Sequence, residues 1–275
     1  MTPWQAALLA LVQAVTEFLP VSSSGHLILL PRLLGWSDQG LEFDIATNSG
    51  TLLAVIAYFR ADLWRMARVF FASFRAEERA ANSDARLLWL LTWATVPAGI
   101  AGLLAKGWIG TYGRDPRLIA ATAIIYGALL LYADRRASRA AGDGEGRGLE
   151  EFGLGAALLV GCAQALALVP GTSRSGITIT AALLLGFARP AAARFSFLLA
   201  VPIGLVLALK QIADVLRGQP IGVPAGALAI GIAVSALAGY AVIAFLLDWV
   251  RKRSLAPFAW YRLGLGVTLL IVFAR

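Results

Sequence analysis

The chain has 275 residues, of which 59% belong to the apolar set AVILMFWYC and only 15% are Asp, Glu, Lys or Arg. Soluble domains carry about 25% charged residues and could not cover so much apolar surface; high hydrophobicity also excludes disorder, and the lone Cys162 excludes a disulfide-stapled fold. The formal charge of +8 does not indicate nucleic acid, because the 24 Lys and Arg sit mainly in short gaps between apolar runs, without an aromatic-interleaved basic face.

Taken in chain order, Met1–Leu34 is apolar but broken at Pro20-Val21-Ser22-Ser23-Ser24-Gly25-His26. No basic residue precedes its apolar core, so it does not read as a signal peptide. Phe43–Phe59, Leu87–Leu104 and Leu118–Ala133 follow, each close to the roughly 17–25 residues that cross a bilayer. A polar gap, Asp134–Glu151, precedes a second broken stretch, Phe152–Phe187, interrupted at Pro170-Gly171-Thr172-Ser173-Arg174-Ser175-Gly176. Three more runs close the chain: Phe195–Leu216, Ala225–Leu247 and Ala256–Ala274. Glycines such as Gly226, Gly231 and Gly239 suit close helix contact in lipid, and Trp64, Trp89, Trp108, Trp249 and Trp260 lie near run ends as an aromatic belt.

Pro, Gly and Ser inside an apolar stretch, with each half too short to span, predict helix–loop–helix hairpins that enter and leave on one side. The expected fold is all-α: a polytopic membrane protein with six transmembrane helices and two re-entrant helical hairpins. It forms a single integral membrane domain over 1–275, with halves at about 1–133 and 152–275 joined by the polar loop 134–151. Alternate gaps fall on opposite sides. One side holds Arg60, Arg65, Arg68, Arg75, Arg79, Arg86, Arg135, Arg136, Arg139, Arg147, Arg189, Arg194, Arg251, Lys252 and Arg253, and the other Arg32, Lys106, Arg114, Arg117, Lys210, Arg217 and Arg275. This split of 15 to 7 leaves aside Arg174 and Arg262, which lie within apolar stretches, and makes the richer side cytoplasmic. Both termini are then expected outside, the first hairpin entering from outside and the second from the cytoplasm.

An internal repeat points the same way. Gln13 precedes Gly25 by twelve residues, as Gln164 precedes Gly176, and the segments between match with one residue of slip. Two similar units entering from opposite sides form an inverted-topology repeat, with the binding site expected at their interface near the midplane.

The chemistry-bearing residues cluster at the two breaks. Gln13 and Glu17, four apart, share one helix face, and an ionisable group inside a membrane segment is a functional candidate; the plainer reading of Glu17 is an interfacial carboxylate satisfied by backbone or Arg. His26, the sole histidine, follows the serines directly and opens a half-helix, a placement suited to proton transfer as well as to a structural role. The Arg174 guanidinium fits phosphate oxygens or pairs with Glu17 across the repeat. Ser22, Ser23, Ser24, Ser173, Ser175 and Thr178 lie where two half-helices begin. There the exposed N–H groups favour an anion, although some of these hydroxyls are expected to be N-caps. Ser23-Ser24-Gly25-His26 with Ser173-Arg174 superficially suggests the type-2 phosphatidic acid phosphatases, but those need a second His, which this chain lacks.

Gln13-Ala-Val-Thr-Glu17-Phe-Leu-Pro20-Val-Ser-Ser-Ser-Gly-His26 and Pro170-Gly-Thr-Ser-Arg174-Ser-Gly-Ile-Thr178 resemble the two signatures of the bacterial undecaprenyl-diphosphatase family of the bacitracin-resistance type. Gln13 stands where many members carry a second Glu, which weakens a metal site built on two carboxylates. The resemblance implies hydrolysis of a prenyl diphosphate lipid to undecaprenyl phosphate and inorganic phosphate, recycling the carrier for cell-wall synthesis. It also implies the inner membrane, a periplasmic active site and a divalent cation, Mg²⁺ or Ca²⁺. Joined to the residues, it gives Glu17, Ser23, His26 and Arg174 as the catalytic set. Gln13, Ser22, Ser24, Gly25, Thr172, Ser173, Ser175, Gly176 and Thr178 are given as substrate-binding, and Glu17 with Gln13 as the cation's ligands. Ser23, Ser22, His26 and water all stand as nucleophiles, and whether the chain pairs as a homodimer is left open. The competing class is a secondary transporter or lipid flippase, to which inverted repeats and broken helices also belong.

Overall fold

The computed structural model describes residues 1–75, 77, 81–105, 107, 114–140, 146–217 and 222–273. Arg79, Lys106, Trp108 and Arg275, used in the sidedness and aromatic-belt readings, lie outside the described residues. Among those described, eleven α-helices form and no strand beyond one isolated bridge, Arg147 to Phe187. They are α1 (Pro3–Phe18), α2 (Ser23–Leu34), α3 (Gly40–Tyr58), α4 (Arg60–Val69), α5 (Ser83–Leu104), α6 (Pro116–Ala140), α7 (Leu154–Leu166), α8 (Arg174–Leu184), α9 (Arg189–Leu216), α10 (Ala225–Lys252) and α11 (Ala256–Phe273).

Polar contacts at the helix ends define two faces. On the first, Arg114 ahead of α6 pairs with Asp38 and Asp44, the Gly222 N–H ahead of α10 donates to Glu42 of α3 (2.6 Å), and Arg32 of α2 lies over Phe273 of α11. On the second, Arg86 of α5 donates to the Phe152 carbonyl ahead of α7 (2.7 Å). There too Asp134 of α6 accepts from Arg189 of α9 (2.6 Å) and from the Leu255 N–H ahead of α11 (3.1 Å). Six helices therefore run from face to face: α3, α5, α6, α9, α10 and α11. Five of them are long and apolar enough to cross a membrane by length and composition. The sixth, α3, carries Glu42, Asp44 and Asn48, but its 19 residues still reach about 28 Å. Leu103, Leu104, Leu216 and Leu237 are largely exposed on the outside of the bundle, as a lipid-facing surface requires.

The two broken stretches are hairpins, α1–α2 and α7–α8. A capping box between Thr2 and Gln5, with Pro3 in the first turn, starts α1 at the first face. Pro31 cannot donate to the Leu27 carbonyl, and the Gln39 amide takes that acceptor instead (3.3 Å), so α2 continues to its left-handed cap at Gly35. The register of the repeat is now defined. Ser22 (φ 76°, ψ 97°) and Ser173 (φ 66°, ψ 112°) hold the same unusual conformation immediately before their half-helices, and Gly35 and Gly186 both take positive φ after them. This pairs Gln13 with Gln164, Ser22 with Ser173 and Gly25 with Gly176; the slip lies at Pro20 and Pro170.

Glycine sets how closely the helices pack. A Cβ on Gly50 would meet the Ile232 carbonyl oxygen at 2.4 Å (α3 on α10), and one on Gly161 the Ala94 carbonyl oxygen at 2.2 Å (α7 on α5). The main apolar core includes Phe18, Phe152, Phe187, Phe195 and Phe197, with the Phe152 ring stacked on those of Phe187 and Phe195. Two features differ from the sequence expectation. Helix α6 runs to Ala140, into the polar stretch expected to begin at residue 134, and the amphipathic α4, 10 residues long and rich in Arg, forms where the sequence shows only a polar gap.

Candidate active site

The hairpin tips meet. Ser175, in the first turn of α8, donates its hydroxyl to the carbonyls of Glu17 (2.9 Å) and Leu19 (3.3 Å) at the end of α1. In return the Gly171 N–H of the second hairpin donates to Ser24 Oγ of the first (3.0 Å). Residues about 150 positions apart are thus laced by reciprocal bonds that satisfy backbone groups freed where the helices break.

Glu17 is the centre of the junction. Its Oε1 accepts from Arg174 Nη2 (3.1 Å), and its Oε2 from Ser23 Oγ (3.0 Å) and Gln13 Nε2 (3.3 Å). The ion pair keeps some access to solvent, with side chains 16% and 17% exposed. Arg174 is aimed by the Ser196 carbonyl, which accepts from Nη1 (3.2 Å), and Ser196 Oγ lies 2.7 Å from Thr178 Oγ1. Gln13 gives its amide N–H to Asn48 Oδ1 (2.7 Å), which leaves Gln13 Oε1 buried without a donor.

The serines divide by role. Ser23 is partly exposed, and its O–H points at a carboxylate, the pairing that activates a nucleophile. Ser22 is fully buried and contacts Ser24 Oγ (3.3 Å). Ser173 is an N-cap, accepting from the Gly176 N–H (3.2 Å), and lies 3.4 Å from Ser175. Thr172 is buried and its hydroxyl has no partner, while Thr178 donates to the Arg174 carbonyl (2.8 Å) from below the site. Gly25 fits against Leu265 and Gly176 against Arg262; a Cβ on Gly176 would come within 2.6 Å of the guanidinium.

His26 stands to one side. Its Nδ1 lies 2.7 Å from the Ser22 carbonyl, an acceptor only, so that nitrogen carries the hydrogen; Nε2 accepts from the Tyr261 hydroxyl (2.7 Å), whose ring stacks on the imidazole. It makes no hydrogen bond to Ser23 or Arg174. The arrangement fastens the positive-φ residue Ser22 through its carbonyl.

Sequence reasoning missed Asn48, Ser196, Tyr261 and Arg262. Arg262 is fully buried, donating through Nη2 to the Gly171 (3.1 Å) and Thr172 (2.8 Å) carbonyls, with Nε and Nη1 unpaired. The signal that singled out Arg174, a charge inside an apolar stretch, was present for Arg262 as well.

Among the described residues no group of three or more His, Cys, Asp or Glu gathers as a metal site. A hard divalent cation needs less, since Mg²⁺ commonly takes one or two carboxylates together with substrate phosphate oxygens. The Glu17 carboxylate fits that donor chemistry; Gln13 turns its amide N–H toward Glu17, so its Oε1 would join the carboxylate only with the amide turned over.

Fold and junction together define a polytopic helical membrane protein whose two hairpins meet tip to tip in a polar junction. The family described as "Bacitracin resistance protein BacA" matches residues 6–268, and the chain belongs to it. It is 48% identical over 273 residues to an "Undecaprenyl-diphosphatase" of Magnetococcus marinus, covering 98% of each chain. It is 47% identical over 270 residues to an "Undecaprenyl-diphosphatase 2" of Stutzerimonas stutzeri, again covering 98% of each.

Proposed function

We propose that this junction hydrolyses undecaprenyl diphosphate to undecaprenyl phosphate and inorganic phosphate. The observation that carries the reading is the chain of contacts Arg174–Glu17–Ser23, which joins an anion-binding cation, a proton acceptor and a hydroxyl across the two hairpins. The relatives' names favour hydrolysis over the transporter reading.

The prenyl chain stays in the bilayer while the diphosphate enters between the hairpin tips. Arg174 turns from the carboxylate to the phosphate oxygens and holds the charge that spreads over the transferring phosphoryl group, where positioning and electrostatics do most of the catalysis. Ser23 Oγ attacks the terminal phosphorus and passes its proton to Glu17. The bond to the bridging oxygen breaks, and undecaprenyl phosphate leaves with the electron pair and that proton. Water then attacks the phosphoserine. Its proton goes through Glu17 back to Ser23 Oγ, and inorganic phosphate departs. Ser23 is favoured over the buried Ser22, and His26 serves by shaping the loop through Ser22. A divalent cation, Mg²⁺ or Ca²⁺, would be held by Glu17 and Gln13 and would neutralise charge on the diphosphate oxygens.

The protein is assigned to the bacterial inner membrane, with its basic face cytoplasmic and both termini periplasmic. Phosphate release from undecaprenyl diphosphate in detergent tests the catalytic reading. Ser23→Ala, Glu17→Ala and Arg174→Ala are each expected to lose at least about 10²–10³-fold in kcat. Rapid acid quench should trap phosphate on Ser23. Full turnover in Ser23→Ala, with no phosphoenzyme in wild type, overturns the proposed nucleophile.

A further inference from the structure

The face opposite the mouth of α1–α2 contains a cavity of about 750 Å³ that the reaction does not use. It is bounded by the α3–α4 junction, the ends of α6 and α10, the segment 146–149 and the link from α8 to α9. Its lining includes four guanidiniums, Arg136, Arg189, Arg194 and Arg251, against one carboxylate, Asp62.

That carboxylate is already shared, since Asp62 Oδ1 accepts from both Arg194 (2.7 Å) and Arg65. Arg189 is occupied by the buried Asp134 behind it (2.6 Å) and by Ser138. Arg194 keeps a buried Nε without an acceptor and lies over the Phe59 ring. Arg136 and Arg251 are exposed and have no ion pair among the described residues; the exposed Asp248 beside Arg251 is paired with Lys252. The first turn of α9 opens into the same space and adds the positive end of its dipole. Topology alone calls for arginines on this face, but scattered over a surface where water screens them. Here two of them, Arg189 and Arg194, are partly buried, and all four line one hollow whose other wall is apolar, including Leu183, Leu247 and Val250. Converging guanidiniums with too few carboxylates and unused N–H donors match phosphate oxygens, and the apolar wall matches a chain attached to the phosphate.

We propose that this cavity is a second anion site, separate from the hydrolytic junction, that takes a phosphate group, either the headgroup of an anionic lipid or free inorganic phosphate. It stands independently of the proposed catalytic roles.

The test uses the full-length protein and Arg136→Gln/Arg251→Gln, whose exposed side chains lie far from the hairpin tips in the fold. Protein is drawn from nanodiscs of phosphatidylcholine with or without phosphatidylglycerol, and retained lipid is counted by native mass spectrometry. Inorganic phosphate binding is titrated by calorimetry in an Arg174→Ala background, which silences the hydrolytic junction. Wild type should retain phosphatidylglycerol in preference to phosphatidylcholine, or bind phosphate. The double variant should weaken that binding roughly tenfold or more, with phosphate release from undecaprenyl diphosphate unchanged in detergent. Lipid retention without phosphate binding assigns the headgroup as ligand, and the converse assigns the free ion. Equal binding of both probes by wild type and the double variant, or none by either, overturns the proposal.

Discussion

Two arginines flank the second hairpin loop and do different work. Arg174 reaches the junction and shares its fork between Glu17 and the Ser196 carbonyl, so Arg174→Lys keeps the charge but loses the geometry. Phosphate release should fall about 10²-fold or more in that variant. Arg262 never reaches the junction; it clamps the Gly171 and Thr172 carbonyls from behind. The loop it clamps has no room to adjust, because Gly171 sits at φ 84° and a Cβ there would meet Thr122 Oγ1 at 2.2 Å and the Ile119 carbonyl oxygen at 2.5 Å. Gly171→Ala is therefore expected to cost more than about 2 kcal/mol, seen as a lower thermal unfolding midpoint in detergent. On the first hairpin, Tyr261→Phe removes one partner of His26 and leaves the bond to Ser22, whereas His26→Ala removes both. The phenylalanine variant should keep clearly more turnover than the alanine variant, and equal losses would transfer the weight to the tyrosine hydroxyl.

At the scale of elements, the hairpins are held to each other by few polar bonds, and the long helices by close approach. Ser175→Ala strips a donor from two carbonyls at the end of α1, with an expected cost of about 1–3 kcal/mol. Gly50→Ala drives a methyl into the Ile232 carbonyl and should lower the unfolding midpoint of the bundle, while Gly99→Ala, which meets nothing within 4 Å, should not. These elements differed in how plainly the sequence announced them. Unbroken apolar runs gave the long spans to within a few residues at their membrane-embedded parts, and Pro with clustered Ser marked the breaks at Ser22 and Ser173. Helix ends carried into the polar margins were not legible, as with α6 to Ala140, because charged residues continue a helix as well as they leave one. Within the junction, Glu17, Ser23 and Arg174 stood out as polar groups in apolar context. Asn48, Ser196 and Tyr261 did not, since their roles arise only when α3, α9 and α11 pack around the tips.

For the molecule as a whole, both described ends, Met1 and Phe273, lie on the face that carries Arg32, Arg114 and Asp38, opposite the arginine-lined face. Alkaline phosphatase fused behind the last residue should therefore be active in cells and a fusion after Glu151 inactive; the reverse pattern would invert the assigned orientation. The shared register of the two hairpins carries a further consequence. Positions related by it hold unlike side chains: Glu17 is matched by Leu168, Ser23 by Arg174 and His26 by Ile177. A duplicated unit could have kept two equivalent workshops, one opening to each side of the bilayer. Instead the copies differ, one holding the hydroxyl and the carboxylate of the junction and the other its guanidinium, so a single chain behaves like a pair of complementary partners. The chain of contacts Arg174–Glu17–Ser23 needs both copies, and the symmetry of the repeat is broken at the very residues that form it.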